Sequence, residues 1–435
     1  MDKDVIKSLI QLKQRELPMN LIQRDNPLPV DSQKIIVVPG VRRCGKSMKM
    51  NLVANQLVNS GIDPRKILWI GFDDERFDGT DGSQLDKVIQ AYMELYPDIP
   101  IGEVYMFFDE IQLIENWHLF ILRLYKNYSR NIFISGSNAN LLSKHLKTEL
   151  RGWPIEFETY PLSFKEFCRF KNIDTTSYLE EDLAKVRNAS FQYNHEGGFP
   201  EVVLNPLPTM KNRILQSYFE TMILKDLCEH YSIDSTNVVK FFAKRIMTNV
   251  SKPTSVNSIY NDLKSQGFKI SKDTLYNWAE YVCDIFLFQR IKKYSSSLAQ
   301  QESSLPKYYC IDNGLRTHIL LPHSNDDGKN LENNVFLHLW SSREPGDEIF
   351  YFKEKYECDF IKVKQGNPVS LIQVCWSLSD LGTKERELRG LSEAMKVTGC
   401  SDLIIVTQQE DSQINLEGNI VKVIPAYKFF LNNMD

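Results

Sequence analysis

Apolar residues in this chain fall into short continuous runs separated by helix-length amphipathic stretches. Residues 1–33 open with Val5, Ile6, Leu9, Ile10 and Leu12 at helical spacing, which predicts an amphipathic helix. Asn26-Pro27 and Leu28-Pro29 then break that pattern. The runs 35–38, 67–72, 104–108 and 132–135 read as buried strands, with a helix over 47–59 after the first. Alternation of this kind predicts a parallel sheet with helices on both faces.

The pattern changes near residue 160. Stretches 162–170 and 176–250 read as helices, punctuated by Gly197-Gly198-Phe199-Pro200. Residues 251–300 read as helix, turn and helix, ending in an apolar strand-like run at 285–288. From about 305 the text returns to mixed α/β, with strands expected at 308–311, 349–352, 358–363, 371–374 and 403–406. The polar stretch 295–304 marks a boundary.

A chain of 435 residues suggests about three domains. With 42% hydrophobic and 25% charged residues, it has the composition of an ordered globular protein rather than a disordered or fibrous one. The net charge of −4 carries no global nucleic-acid signature, although a local basic face stays open. Eight scattered cysteines form no CxxC pair, so reduced thiols in a cytoplasmic protein are expected, without a zinc site. No run reaches the ~20 apolar residues of a membrane span, and the first residues lack a signal-peptide core.

The strongest chemical signal is Gly40-Val41-Arg42-Arg43-Cys44-Gly45-Lys46-Ser47, followed by Met48. It reads GxxxxGKS between a strand and a helix, the context a phosphate-binding loop requires. Glycines let successive backbone N–H groups turn inward toward phosphate oxygens, and the helix start adds its positive dipole. Lys46 is expected on the β- and γ-phosphates of ATP and Ser47 on Mg²⁺. The run 104–108 ends in Asp109 and Glu110, one carboxylate for the metal and one to polarise an attacking water. The run 132–135 leads to Ser137 and Asn138, either of which is a γ-phosphate sensor or a cap for a helix over 139–142. Arg42, Arg43 and Arg151 are the cations available to a transferred phosphoryl group.

Taken in order, GVRRCGKS, YMFFDEIQ, ISGSNANLLS, LRGWPIEFETYPLSFKEF and GGFPEVV resemble the prokaryotic AAA-type ATPases that carry a DUF4143 C-terminal region. SYFETMILKDL, YYCIDNGLR, LENNVFLHL and YECDFI extend the resemblance from about residue 20 to the end. It implies an α/β chain with three modules: a P-loop AAA-like ATPase domain, a winged helix, and a restriction-endonuclease-like module related to PD-(D/E)xK nucleases. Lys46 and Ser47 match its Walker A positions, Asp109 and Glu110 its Walker B, and Ser137 its sensor segment. The family's Gly-Arg step reads Gly152-Trp153 here, with Arg151 just upstream. The expected divisions are an N-terminal helix and lead-in (1–33), the ATPase domain (34–165), a helical linker (166–235), the winged helix (236–300) and the nuclease-like domain (305–435).

In the middle module, Ser255 and Ser271 are the expected caps of helices over 256–263 and 272–284, the latter in the position of a recognition helix. Lys264, Lys269, Lys272, Lys292 and Lys293, with Tyr276 and Trp278, offer double-stranded DNA a basic aromatic face. Asp262, Asp273, Glu280 and Asp284 dilute it, and packing against other parts of the protein is the competing role. In the last module Glu332, Glu357, Asp359 and Gln373 align with a nuclease metal site. The expected E-x-K reads Gln373-Val374-Cys375, a weak ligand followed by no positive charge, which argues that cleavage is lost unless Lys353, Lys355 or Lys362 substitutes. The resulting expectation is a Mg-ATP hydrolase that rearranges its downstream modules on DNA or on a protein partner, with a homo-oligomer as one form. The rivals are a nucleotide-gated binding protein with little turnover and an ATP-coupled Mg²⁺-dependent nuclease.

Overall fold

The computed structural model describes residues 2–137, 152–320 and 326–432. The chain divides into two compact units: Met1–Tyr160 with Asp284–Phe286, and Pro161–Cys283 with Leu287–Asp435.

The first unit is built on a five-stranded sheet in the order β2-β3-β4-β1-β5, every pairing parallel. Its strands are β1 (Ile35–Pro39), β2 (Ile67–Gly71), β3 (Tyr105–Asp109), β4 (Ile132–Gly136) and the short β5 (Pro154–Glu156). The strands read as continuous apolar runs because both faces are covered. Ile35 and Val37 enter one core with Ile6 and Ile10 of α1 (Lys3–Glu16), Val88 and Tyr92 of α3 (Asp86–Leu95), and Phe120 and Leu124 of α4 (Trp117–Asn127). Ile36 and Val38 enter the other with Met50, Val53 and Leu57 of α2 (Lys46–Asn59). On α1 the buried stripe is Ile6, Ile10 and Gln14, while Leu12 of the predicted stripe is exposed. Gln14 is buried because its amide donates to the carbonyl of Ile67 at 2.8 Å.

The second unit begins helical. Helices Thr236–Thr248, Val256–Ser265 and Lys272–Asp284 follow one another. The Ser255 and Ser271 hydroxyls accept from the N–H groups of Ser258 and Thr274, as the sequence predicts. An antiparallel pair, β6 (Phe288–Ile291) and β7 (Lys307–Cys310), comes next. The predicted strand 285–288 starts only at its last residue, because Phe286 turns the chain with φ 59°. A mixed six-stranded sheet ends the chain, in the order β12-β13-β11-β10-β9-β8. It comprises β8 (Asp347–Lys353), β9 (Glu357–Lys364), β10 (Asn367–Val374), β11 (Leu403–Thr407), β12 (Ser412–Leu416) and β13 (Asn419–Pro425). The hairpin β12–β13 and the short β5 are absent from the sequence reading. The fold is therefore α/β, with a parallel N-terminal sheet, a helical middle and a mixed C-terminal sheet.

Candidate nucleotide site

Parallel strands present their carboxyl ends along one edge, and β1, β3 and β4 deliver the phosphate-loop residues, the two acids and the two serines to the same place. Gly40 leaves β1 pressed against Thr159, where a Cβ would stand 2.2 Å from the Thr159 carbonyl oxygen. No larger residue fits there. Gly45 enters α2 with φ +102°, a left-handed geometry open to glycine at little cost. Val41 and Cys44 are buried, and the Cys44 thiol lies 3.2 Å from the Thr159 carbonyl oxygen, so they form the floor of the loop. Arg43 and Met48 are exposed and Arg42 is half-buried.

Lys46 is only 3% exposed. Its ammonium donates to the carbonyl of Val41 at 3.3 Å and pairs with Glu110 Oε1 at 3.3 Å. Burial, the largest influence, would lower its pKa, but Glu110, Cys44 and Asp109 together overcome it and raise it. Burial pushes Glu110 the other way, and Lys46, Gln112 and Arg42 together hold it below its ordinary range. Glu110 therefore stands ionised beside the loop, with φ 50° at the strand end. Asp109 differs. Burial raises its pKa despite hydrogen bonds from Ser135 and Ser47. A carboxylate and a hydroxyl side by side are hard oxygen donors of the kind Mg²⁺ takes alongside phosphate oxygens, so Ser47 and Asp109 fit that ion.

Three contributors escaped the sequence reading. Ser135 donates to Asp109 and accepts from the Glu110 N–H at 3.1 Å, so one hydroxyl fixes both acids. Gln112 donates to Glu110 Oε2 at 2.5 Å and to Ser137 Oγ at 3.3 Å, linking the acid to the sensor candidate. Arg24, from the lead-in before β1, donates to the carbonyls of Cys44 and Tyr160, each at 2.9 Å. The lead-in also closes one side of a cavity of about 610 Å³, lined by Met19, Leu21, Arg24 and Leu28 against Lys49 and Gln56 of α2. Asn55 clamps it by exchanging two hydrogen bonds with the Met19 backbone at 2.7–2.8 Å. Asn138, Arg151 and the helix expected over 139–142 lie outside the described residues. Trp153 packs on Tyr125 with ring centroids 4.8 Å apart, beside the Lys126 ammonium.

The C-terminal candidates also converge, but on a group the sequence did not suggest. Lys307, on β7, is fully buried. Its ammonium lies 2.6 Å from Glu357, 3.3 Å from Glu332 and 3.3 Å from Asp359. Burial opposes the charge on Lys307, and the carboxylates overcome it, raising its pKa well above the ordinary value. Glu357 is held low against burial by the same ammonium, while burial dominates and raises Glu332 and Asp359. Gln373 does not face the ammonium. Its Oε1 accepts from the Asp359 N–H at 2.9 Å, and its amide donates to the Glu357 carbonyl and to Glu387. Of the lysines considered as substitutes, Lys353 pairs with Glu357 at 2.9 Å, Lys362 faces Asp347, and Lys355 lies over Tyr356. Among the described residues, no group of three or more His, Cys, Asp or Glu side chains is arranged to hold a metal ion.

The basic aromatic face of the middle region is smaller than the sequence suggests. Trp278 is core, edge-on to Phe242. Lys292 and Lys293 are ion-paired with Glu302 and Glu354. Lys264, Lys269, Lys272, Phe268 and Tyr276 are exposed. Among the described residues, no helix is long and apolar enough to cross a membrane.

The AAA domain family (AAA_14) matches residues 32–168. A domain of unknown function (DUF8612) matches residues 187–326, in place of the DUF4143 region that the resemblance implies. An uncharacterised protein of Methanocaldococcus jannaschii is 31% identical over 99% of this chain and 96% of its own length. One from Haemophilus influenzae is 31% identical over 83% and 88%. The chain belongs to the family of these proteins and carries its AAA domain at the N-terminal end. Among solved structures, Aeropyrum pernix ORC1 in complex with DNA is 11% identical over 73% of this chain and 91% of its own, with a TM-score of 0.30. AMPPCP-bound DnaA from Aquifex aeolicus is 15% identical over 64% and 86%, with a TM-score of 0.24.

Proposed function

We propose that the protein binds and hydrolyses Mg-ATP at Gly40–Ser47. The observation that carries this is the convergence of Lys46 and Ser47 on Asp109 and Glu110 at the carboxyl end of one parallel sheet. The loop N–H groups and Lys46 hold the phosphates, while Ser47 and Asp109 hold Mg²⁺, which supplies charge neutralisation on the phosphate oxygens when bound. Glu110 orients and deprotonates the attacking water. Lys46 pairs with Glu110. Phosphates would draw the ammonium away and leave the carboxylate free to act, with Gln112 passing the change to Ser137.

Turnover then resets the downstream regions. The finer modules belong to this reading: a helical linker over 166–235, a winged helix over 236–300 and a nuclease-like domain over 305–435 without cleavage. Exposed Lys264, Lys269, Lys272 and Tyr276 support contact with double-stranded DNA. A second reading, a nucleotide-gated binding protein with little turnover, draws on Trp153. It packs against Tyr125 at the place of the resembled family's arginine, and arginine assistance is worth roughly 10³ to 10⁵ in rate. Phosphate release from the purified chain, with and without double-stranded DNA and with Lys46→Ala as blank, separates the two. Release that DNA stimulates supports the first reading in full. Release equal to the blank, with ATP still bound, replaces it with the second.

A further inference from the structure

The carboxylates that align with a nuclease metal site are not waiting for a cation. Glu332 comes from the helix Asp326–Ser341 and Glu357 and Asp359 from β9, yet all three oxygens stand within 3.3 Å of one nitrogen. That nitrogen belongs to Lys307, whose side chain has no exposed surface. Three acids gathered in a protein interior repel one another and need a positive charge among them. In a nuclease-type site a divalent metal is that charge. We propose that the Lys307 ammonium is the permanent occupant of this site, standing in the position and charge role of the metal and closing the site to exogenous cations.

Three further features support the assignment. First, Lys307 belongs to β7, which is paired with β6 along one edge, and its backbone meets Pro253 on the other. The cation is therefore delivered from outside the sheet whose acids it neutralises and is held by its own backbone. Second, part of the remaining coordinating capacity is committed elsewhere, with Glu357 Oε2 paired to Lys353 at 2.9 Å. The second oxygen of Asp359 accepts from the Val374 N–H at 2.9 Å, and Glu332 Oε1 also accepts from the Tyr309 hydroxyl at 2.8 Å. Third, Gln373, at the position of the motif's last carboxylate, is tied to backbone and to Glu387. A metal entering here would have to displace a fixed ammonium and reorganise that hydrogen-bonded shell.

The inference is independent of nucleotide chemistry, and its test needs none. The full-length chain is titrated with Mn²⁺ in the absence of nucleotide, and free Mn²⁺ is read by electron paramagnetic resonance. The native chain and Asp359→Asn should bind the same amount. Lys307→Ala should gain one Mn²⁺ per chain, and Lys307→Ala with Asp359→Asn should lose it again. If Lys307→Ala does not fold, Lys307→Ser is titrated in its place, and the native arm decides in either case. A native chain whose Mn²⁺ uptake falls on Asp359→Asn would overturn the proposal, as would a folded Lys307→Ala with no gain.

Discussion

Lys46 and Lys307 are both buried ammonium groups held by acids, and they are built for opposite ends. Lys46 has one carboxylate at 3.3 Å and one backbone carbonyl at 3.3 Å. Lys307 has three carboxylates and no exposed surface. A buried cation that is under-supplied with partners is ready to take another anion. One that is saturated is structural. The difference lies in how many acids the fold brings to each nitrogen, since burial and residue type are the same.

Substitution of each lysine should break the comparison most sharply. Lys307→Met leaves three acids without a cation and should cost about 3–5 kcal/mol in urea unfolding, the usual price of orphaning a buried charge. Lys46→Met orphans only Glu110, which Gln112 also holds, and should cost about 1–3 kcal/mol. Turnover should reverse that order, falling to background for Lys46→Met and persisting in folded Lys307→Met. If Lys46→Met were the less stable of the two, the distinction between ready and saturated would fail.

Two glycines give a smaller effect of the same kind. A Cβ at Gly390 would stand 2.0 Å from the Glu357 carbonyl oxygen, and one at Gly40 stands 2.2 Å from that of Thr159. Each Gly→Ala should destabilise by about 1–3 kcal/mol through overpacking. Only Gly40→Ala should also weaken nucleotide binding, which fluorescence titration with a labelled ATP analogue would read.

The smallest effect is on pH dependence. Glu110 is held below its ordinary 4.5, so its ion pair contributes stability above that pH and loses it as pH falls through the folded value. Asp359 is raised by burial, so its ionisation opposes folding as pH rises from its ordinary 3.8 toward the folded value. Urea midpoints measured from well below pH 4.5 upward should therefore carry opposing slopes, with Glu110→Gln removing the first and Asp359→Asn the second. The acid limb of kcat/KM should likewise lie below pH 4.5.

The two lysines also differ in how legible they were. The candidate nucleotide site is written in two short motifs, each recognisable by itself. Gly40 to Ser47 spans one strand end and one helix start, and Asp109-Glu110 closes another apolar run, so period and spacing alone place them together. Its supports were hidden because they are ordinary residues made special by position. Arg24 sits in a Pro-broken lead-in, Gln112 just beyond the acids, and Ser135 inside an apolar strand. Trp278 looked like a surface aromatic on a basic helix, but helical phase turns it into the core. The hairpin β12–β13 was missed because Glu417 takes φ 49° in its turn without the Asn or Asp that usually announces one.

Lys307 was out of reach by any of these routes. It stands in no motif with Glu332 or Asp359, and it is carried by a strand whose neighbour is β6. What this sequence determined by itself is local: strand and helix periods, caps at Ser255 and Ser271, and a phosphate loop whose backbone geometry is written into two glycines and a lysine. What only the tertiary structure decided is which charges meet. Coulomb attraction and desolvation depend on distance and burial, and in a folded chain neither follows from separation along it.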